Sequence, residues 1–443
     1  MDLDRIKQIL RDYAYELQAR VEECGAAVPG VVIPKRLIEI FPNLFMDTID
    51  TTCRLQADGR VFLITGDIEA MWLRDSTAQV SPYLDLMAES ADIAKLIRGL
   101  IDEQLSCIIY DPYANAFNET ENGRCWSLDE PKPLARVWEQ KYEIDSLCYP
   151  LRLARFYYQA TADRSLYRSP LFVQALKKIL TVFATEQRRS TSSYYFNRPG
   201  AVAQDTLSHG GWGAAVAEVG LIFSGFRPSD DACVYGYHIA DNLFAKKELT
   251  ELSQTLCCFE EFDGELLDAI DRILSALSAG LEQHATIDDP IFGEIYAYEV
   301  DGAGNFLFMD DANVPSLMAL PYLSICKKSD PLYRRTRAAL LSKRNPYYYE
   351  GLEAMGIGSP HTPADYIWPI GLCTQALTSE DPEEINRLLR MICQSEAGTG
   401  YMHEGFHKDD ARQFTRAWFA WANSLAAYLL QTLILGDEMR IKF

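Results

Sequence analysis

Three groups of side chains in the 443-residue chain have types and spacings suited to chemistry on a polar substrate. They are GYMHEGFHKDD at residues 400–410, the Asp230–Asp231 pair in GFRPSDDA, and Trp72, Arg74 and Asp75 in AMWLRDS. HEGFH matches the H-E-x-x-H string in which two histidines on one helical face bind zinc and the Glu between them acts as a base. Its surroundings argue against zinc. Gly398, Gly400 and Gly405 punctuate the stretch, and a glycine within a helix costs about 1 kcal/mol relative to Ala. The extended zincin pattern requires Gly and His where this chain has Asp410 and Gln413, and no Glu occurs between 405 and 437 to act as a third ligand. Tyr401, Met402 and Phe406 alternate with polar residues, which predicts a loop with one buried side that fixes the direction of Glu404. A partly buried carboxyl is how a general acid or base is tuned.

Two opposed carboxyl groups cleave a glycosidic bond, one protonating the leaving oxygen and the other activating water or attacking the sugar. GFRPSDDA reads as a turn into a helix, with Pro228, Ser229 as N-cap, and Asp230 and Asp231 in the first turn. On that reading the two aspartates complement the helix dipole, and on the other one of them is the partner of Glu404. Arg74 beside Asp75 forms either a structural ion pair or, with Trp72, a holder of sugar hydroxyls and a ring face. Asp310 and Asp311 in MDDANVP read as a helix cap. Trp212, Trp368 and Trp421 read individually as core, and His361 in SPHTPADYIWP suits a buried backbone contact as well as a ligand. A GxSxG elbow, a GxxxxGK[ST] phosphate loop and a GxGxxG turn after a strand are all missing.

The elements that must position these residues are mostly helices. Leu3, Ile6, Leu10, Tyr13, Leu17 and Val21 predict an opening amphipathic helix over about 2–24. Further stripes run through 93–101, 172–183, 266–277 and 385–392, and a last helix carries Trp418 to Leu433 with Gly436 placed to end it. RVFLIT and IFGEIYAYEV are the strand-like runs. Between the helices lie loops dense in Gly, Pro, Asp, Trp and His, where sites on rigid scaffolds usually sit. No low-complexity linker divides the chain, so a single all-α domain over 1–443 is expected, a toroid of helices with its loops at one end. No short repeat is visible.

Sixty-three acidic against 42 basic residues leave a net charge of −21, which repels nucleic acid and anionic membranes. The N-terminal segment is charged throughout, no apolar run approaches 18 residues, and eleven scattered cysteines lack a CxxC pair. These features favour reduced thiols and a cytoplasmic location.

Taken together, ITGDIEAMWLRDSTAQVSPYL, WEQKYEIDSLCYPLRL, FSGFRPSDDACVYGY, YAYEVDGAGNFLFMDDANVPSLMALPYL, RNPYYYEG, SPHTPADYIWPI, GTGYMHEGFH and WFAWANSLAAYLL resemble glycoside hydrolase family 125 in order and spacing, from about residue 40 to 435. The resemblance implies an (α/α)6 toroid and an inverting exo-α-1,6-mannosidase acting on oligomannosides or N-glycan fragments, with no metal or other cofactor. It implies Glu404 as general base and the Asp230–Asp231 pair as the source of the acid, with Asp231 favoured by its spacing to the Glu motif. Arg74, Asp75, Trp72, His361, Trp368 and His403 are implied at the sugar-binding end. One segment departs from the family pattern. In TLSHGGWGAAVAEVGLI, Ala214 stands where the pattern has Asn, which puts a contact beyond the terminal mannose, or the pocket lip, in question. Two rival readings are a toroidal sugar isomerase or epimerase, disfavoured by only six histidines, and a non-catalytic sugar-binding protein. If HEGFH shapes a sugar pocket, exhaustive chelation leaves turnover unchanged; loss of activity that zinc restores would revive the metal reading.

Overall fold

The computed structural model describes residues 1–259 and 262–441. Its helices are α1 (Leu3–Cys24), α2 (Lys35–Asp47), α3 (Leu73–Gln79), α4 (Ala91–Tyr110), α5 (Ile144–Thr161), α6 (Ser165–Arg168), α7 (Pro170–Glu186), α8 (Ser208–Gly211), α9 (Ile239–Leu256), α10 (Gly264–His284), α11 (Pro331–Leu340), α12 (Pro369–Leu377), α13 (Pro382–Ser395) and α14 (Ala420–Leu435). The predicted stripes fall on helices, except that Trp418, expected on the last one, precedes α14 by two residues. In α1, Ile6, Leu10, Ala14, Leu17 and Val21 form the buried face, Asp2 caps the start by accepting from the Arg5 N–H, and Gly25 at φ 74° ends it. Gly436 at φ 57° ends α14.

Burial divides the helices into two layers. Helices α3, α5, α12 and α14 are buried on nearly every side, the mark of elements surrounded by protein. Helices α7, α10, α11 and α13 bury one stripe. The inner helices pack in sequence, α14 on α3, α3 on α5, α5 on α9, and α12 on α14. Turns at 316–324 fill the remaining inner position, where Arg152 of α5 bonds the Leu323 carbonyl and Tyr333 of α11 bonds that of Met318. Asp310 accepts from the Leu317 and Met318 N–H groups and so caps these turns. Each outer helix leads through a loop into an inner one, giving the pairs α2/α3, α4/α5, α7/α9, α10/316–324, α11/α12 and α13/α14. This is an (α/α)6 toroid, and its six-fold pairing emerges only from the packing. Nearly all of its buried apolar side chains form one continuous core reaching from Ile6 to Ile441.

The six outer-to-inner loops span 48–72, 111–143, 187–238, 285–315, 341–368 and 396–419, and backbone pairing ties each to the next. Met71–Trp72 pairs with Ala116–Phe117. The Phe226 N–H donates to Tyr142 O at 3.0 Å, and Glu130 bridges Asn197. Tyr237–His238 pairs with Glu299–Val300. The Ala312 N–H donates to Gly358 O at 3.0 Å, Tyr366–Ile367 pairs with Gly405–His407, and Gly66 bridges Phe419 to close the circle. A Cβ on Gly66 would lie 2.6 Å from the Trp418 carbonyl oxygen, so this last junction requires glycine.

Two local expectations need correction. GFRPSDDA does not open a helix: Asp230 has φ 65°, which the first turn of a right-handed helix excludes, and α9 begins only at Ile239. Trp212 is not core; it is 53% exposed directly after α8, which is a turn rather than a regular helix because His209, Gly210 and Gly211 all have positive φ.

Inside the toroid, Glu248 of α9 accepts from Arg152 at 2.7 Å and from Arg155 at 3.0 Å, with both the carboxylate and Arg152 almost fully buried. Glu248→Ala removes the carboxylate shared by two buried guanidinium groups and is expected to cost about 3–5 kcal/mol, read as a lower urea midpoint at unchanged m-value.

Candidate active site

The ring of loops encloses a cavity of about 330 Å³. Its deepest electrostatic feature is Arg74, fully enclosed in the first turn of α3. Its Nη1 lies 2.7 Å from Glu143 and 3.2 Å from Asp145, its Nη2 3.1 Å from Asp230, and its Nε 3.4 Å from Asp75. Four carboxyls around one guanidinium cannot all remain ionised cheaply in a dry interior. Burial pushes Glu143 well up, Asp145 to about 7 and Asp75 to about 6, against the pull of Arg74 in each case. At Asp230 burial acts upward too, but the Arg74 charge and a hydrogen bond from Glu143 overcome it and hold the carboxyl well below the usual range. Burial and Arg74 thus push Glu143 and Asp230 in opposite directions, with Asp230 the better stabilised as a charge. Asn115 Nδ2 adds a bond to Asp230 at 3.2 Å.

The left-handed conformation of Asp230 sends the two neighbouring aspartates to different partners. The Asp230 N–H donates to Arg227 O and the Arg227 N–H to Asp231 O, closing a tight turn. The turn is anchored by Glu299, which pairs with Arg227 and accepts from the Val234 and Tyr235 N–H groups. Asp230 thus reaches Arg74 on the cavity wall. Asp231 lies behind His361, whose Nδ1 is 3.0 Å from Asp231 Oδ1, while Asp231 Oδ2 is buried without a partner. His361 itself faces the cavity. Burial would lower its pKa, but the hydrogen bond and charge of Asp231, with Glu404 and Asp230 adding, raise it to about 9.

Glu404 enters the cavity from the opposite loop, just before the strand Gly405–His407. Its Oε1 lies 3.4 Å from Arg416 Nη1, and Arg416 is held in turn by Asp67 at 2.6 Å. A side chain on Gly405 would press on the Trp368 indole at 3.2 Å. Trp368 is buried, lines the cavity and donates from Nε1 to Thr362 at 2.9 Å.

Of the residues singled out in the sequence, the structure brings Trp72, Arg74, Asp75, Asp230, His361, Trp368 and Glu404 to the cavity wall. Asp231 stands one layer back, and His403 is not on the wall. The His403 ring stacks on Phe414 at 3.6 Å, and its Nδ1 lies 3.1 Å from Ala417 O. His407 packs edge-on against Tyr366. The HEGFH segment is a turn and strand, so its histidines do not share a helical face, and among the described residues no group of three His, Cys, Asp or Glu side chains could hold a metal. Trp421, read as core, is both buried and on the cavity wall, with the Arg74 guanidinium 5.8 Å above its ring. The residues that sequence reasoning missed are Asn115, Glu139, Lys141, Glu143, Asp145 and Arg416. Four of them alternate in WEQKYEIDS at a spacing of two, and that alternation was the available signal.

The sequence profile of the metal-independent alpha-mannosidases, glycoside hydrolase family 125, matches residues 34–431. The chain belongs to this family. The meiotically up-regulated gene 157 protein of Schizosaccharomyces pombe is 40% identical over 423 residues, covering 90% of this chain and 82% of that protein. A family 125 structure from Streptococcus pneumoniae, a metal-independent α-mannosidase in a non-productive complex with α-1,6-mannobiose, is 39% identical. It superimposes with a TM-score of 0.91 over 96% of this chain and 98% of its own. A bacterial glucoamylase in complex with acarbose shares the fold at 11% identity, with a TM-score of 0.57 over 90% of this chain and 55% of its own. As a family 125 enzyme the protein is an α-mannosidase, a glycoside hydrolase.

The His361–Asp231 pair gives a pH dependence with a definite sign. Because folding raises the His361 pKa from 6.5 to about 9, its contribution to stability is complete below pH 6.5 and disappears as pH rises through about 9. The side chain is 36% exposed, so solvent screens the effect and it is small. The difference in melting temperature between wild type and His361→Gln should shrink over that interval; a difference that grows with pH would contradict the pairing.

Proposed function

We propose that this family 125 enzyme removes terminal α-1,6-linked mannose from the non-reducing end of oligomannosides or N-glycan fragments, with inversion, as one catalytic domain. The observation that carries the reading is the placement of Glu404 and of the His361–Asp231 pair on separate loops around one cavity. The linkage rests on the 39%-identical Streptococcus pneumoniae relative and its α-1,6-mannobiose.

Glu404 accepts the proton of a water molecule that attacks the anomeric carbon. The ion pair with Arg416 fixes one of its carboxylate oxygens. The proton for the leaving oxygen comes from the His361–Asp231 pair, which holds one across its 3.0 Å contact. The unpartnered Asp231 Oδ2 supports Asp231 as the member on which transfer depends, since a lone buried carboxylate oxygen calls for a proton or a substrate atom. Asp230 is a poor acid because Arg74 keeps it charged. It suits a sugar hydroxyl, as do Asp75 and Arg74, while Trp72 and Trp368 offer indole surface. His403 positions Glu404 from behind through its stack on Phe414. One proton enters at the base and one leaves at the acid, so water and glycoside become β-mannose and a free alcohol. All eleven cysteines are free, which supports the reading of a reducing, cytoplasmic compartment. No helix among the described residues is long and apolar enough to cross a membrane.

Glu404→Gln should lower kcat by roughly 10²–10⁴-fold while substrate still binds, and Asp231→Asn should do likewise, with a smaller effect from Asp230→Asn. In an inverting site the carboxyl groups stand roughly 6.5–9.5 Å apart with water between, so proton NMR at early times should show β-mannose first. Appearance of α-mannose first would sink the inverting route and the role given to Glu404.

A further inference from the structure

An open groove of about 620 Å³ runs beside the catalytic cavity and shares two wall residues with it, Ile68 and Trp126. Trp126 is 55% exposed although it is tied down at the backbone, its N–H donating to Trp138 O at 3.0 Å. Its ring lies 6.4 Å from that of Trp138, which lines the groove with Trp418. Beneath them Ala70, Trp72, Ala116 and Trp138, with Ile68, form an apolar cluster separate from the main core. Four of the seven tryptophans therefore line the cavity and the groove: buried Trp72 in the cavity, exposed Trp126 at the boundary, and Trp138, covered in part by Arg124 5.5 Å over its ring, with half-buried Trp418 in the groove. The Nε1 of Trp138 is buried without an acceptor.

The charges along the groove cancel one another. Arg54 pairs with Glu69 at 3.4 Å and Glu119 at 3.1 Å, Arg124 pairs with Glu69 at 2.7 Å, and Asp67 is taken by Arg416. The exposed indole of Trp126 and the partly open one of Trp418, edged by neutralised ion pairs, suit a neutral polyhydroxylated chain, which presents C–H faces to aromatic rings and hydroxyls to the flanking polar groups. Within the groove itself a charged partner would meet no uncompensated side chain among these pairs.

We propose that this groove binds the sugar units on the leaving-group side of the scissile bond, beyond the first one, with Trp126 as the platform between cavity and groove. The proposal rests on the mannosidase reading above and makes the substrate an oligosaccharide longer than a disaccharide.

The test compares kcat/KM on α-1,6-linked mannobiose and mannotetraose. Wild type should prefer the tetrasaccharide, and the ratio of the two values should fall about ten-fold in Trp126→Ala and in Trp418→Ala, the scale of one lost aromatic contact. A wild type indifferent to length, or a ratio that neither substitution changes, overturns the proposal. Saturation-transfer NMR on the Glu404→Gln protein with mannotetraose tests it without altering the groove. Contacts reaching the third and fourth sugar units support it, and contacts confined to the first two overturn it. Failure of wild type to release mannose from either oligosaccharide would instead remove the mannosidase reading, whereas release without length preference removes the groove alone.

Discussion

The buried guanidinium of Arg74 is the constraint on which the site depends. It draws together Asp75 from its own helix, Glu143 and Asp145 from the start of the neighbouring inner helix, and Asp230 from the third loop. One positive charge cannot neutralise four negative ones, and the excess shows as carboxyl pKa values pushed up by burial at Glu143, Asp145 and Asp75, while Arg74 holds Asp230 down. Removal of Arg74 would strip these acids of their shared ion-pair partner and would also release Asp230 from its strained left-handed position. Folding and active-site geometry thus meet in one side chain.

The toroid adds a second source of compensation. Helices α3, α5, α9, α12 and α14 all begin at the loop end, so their positive dipole ends point towards the acid-rich cavity. The same end receives Arg416, which spans from Asp67 to Glu404. A chain with a net charge of −21 can concentrate carboxyls at a single point because backbone dipoles and two guanidinium groups are aimed there.

Much of this was legible in the sequence. Apolar stripes marked helices because each helix buries a defined face, and α1 ran within a residue of its expected limits. The loops were legible from Gly, Pro and Asp, and the Arg74, His361 and Glu404 motifs from their company of aromatics. The Asp230–Asp231 turn was misread because Pro-Ser-Asp-Asp is also the composition of a helix start; only the backbone torsion of Asp230 distinguishes the two. Glu143 and Asp145 escaped because a charged residue is ordinarily exposed, and their burial is imposed by Arg74 some seventy positions away. His403 was placed at the sugar by resemblance, yet its stack with Phe414 depends on a strand pairing that local composition does not encode.

The closed circle of backbone bonds among the six loops bears on how such an enzyme can diversify. In a scaffold whose loops stand free, each can lengthen or be exchanged alone. Here every loop shares its main-chain hydrogen bonds with both neighbours, from Met71–Trp72 against Ala116–Phe117 round to Gly66 against Phe419. A segment grafted from a relative would arrive with unmatched donors and acceptors on two sides unless the adjoining segments came with it. Inheritance should therefore act on neighbouring loops as blocks, and novelty should gather at tips outside the circle, such as the exposed turn around Trp212.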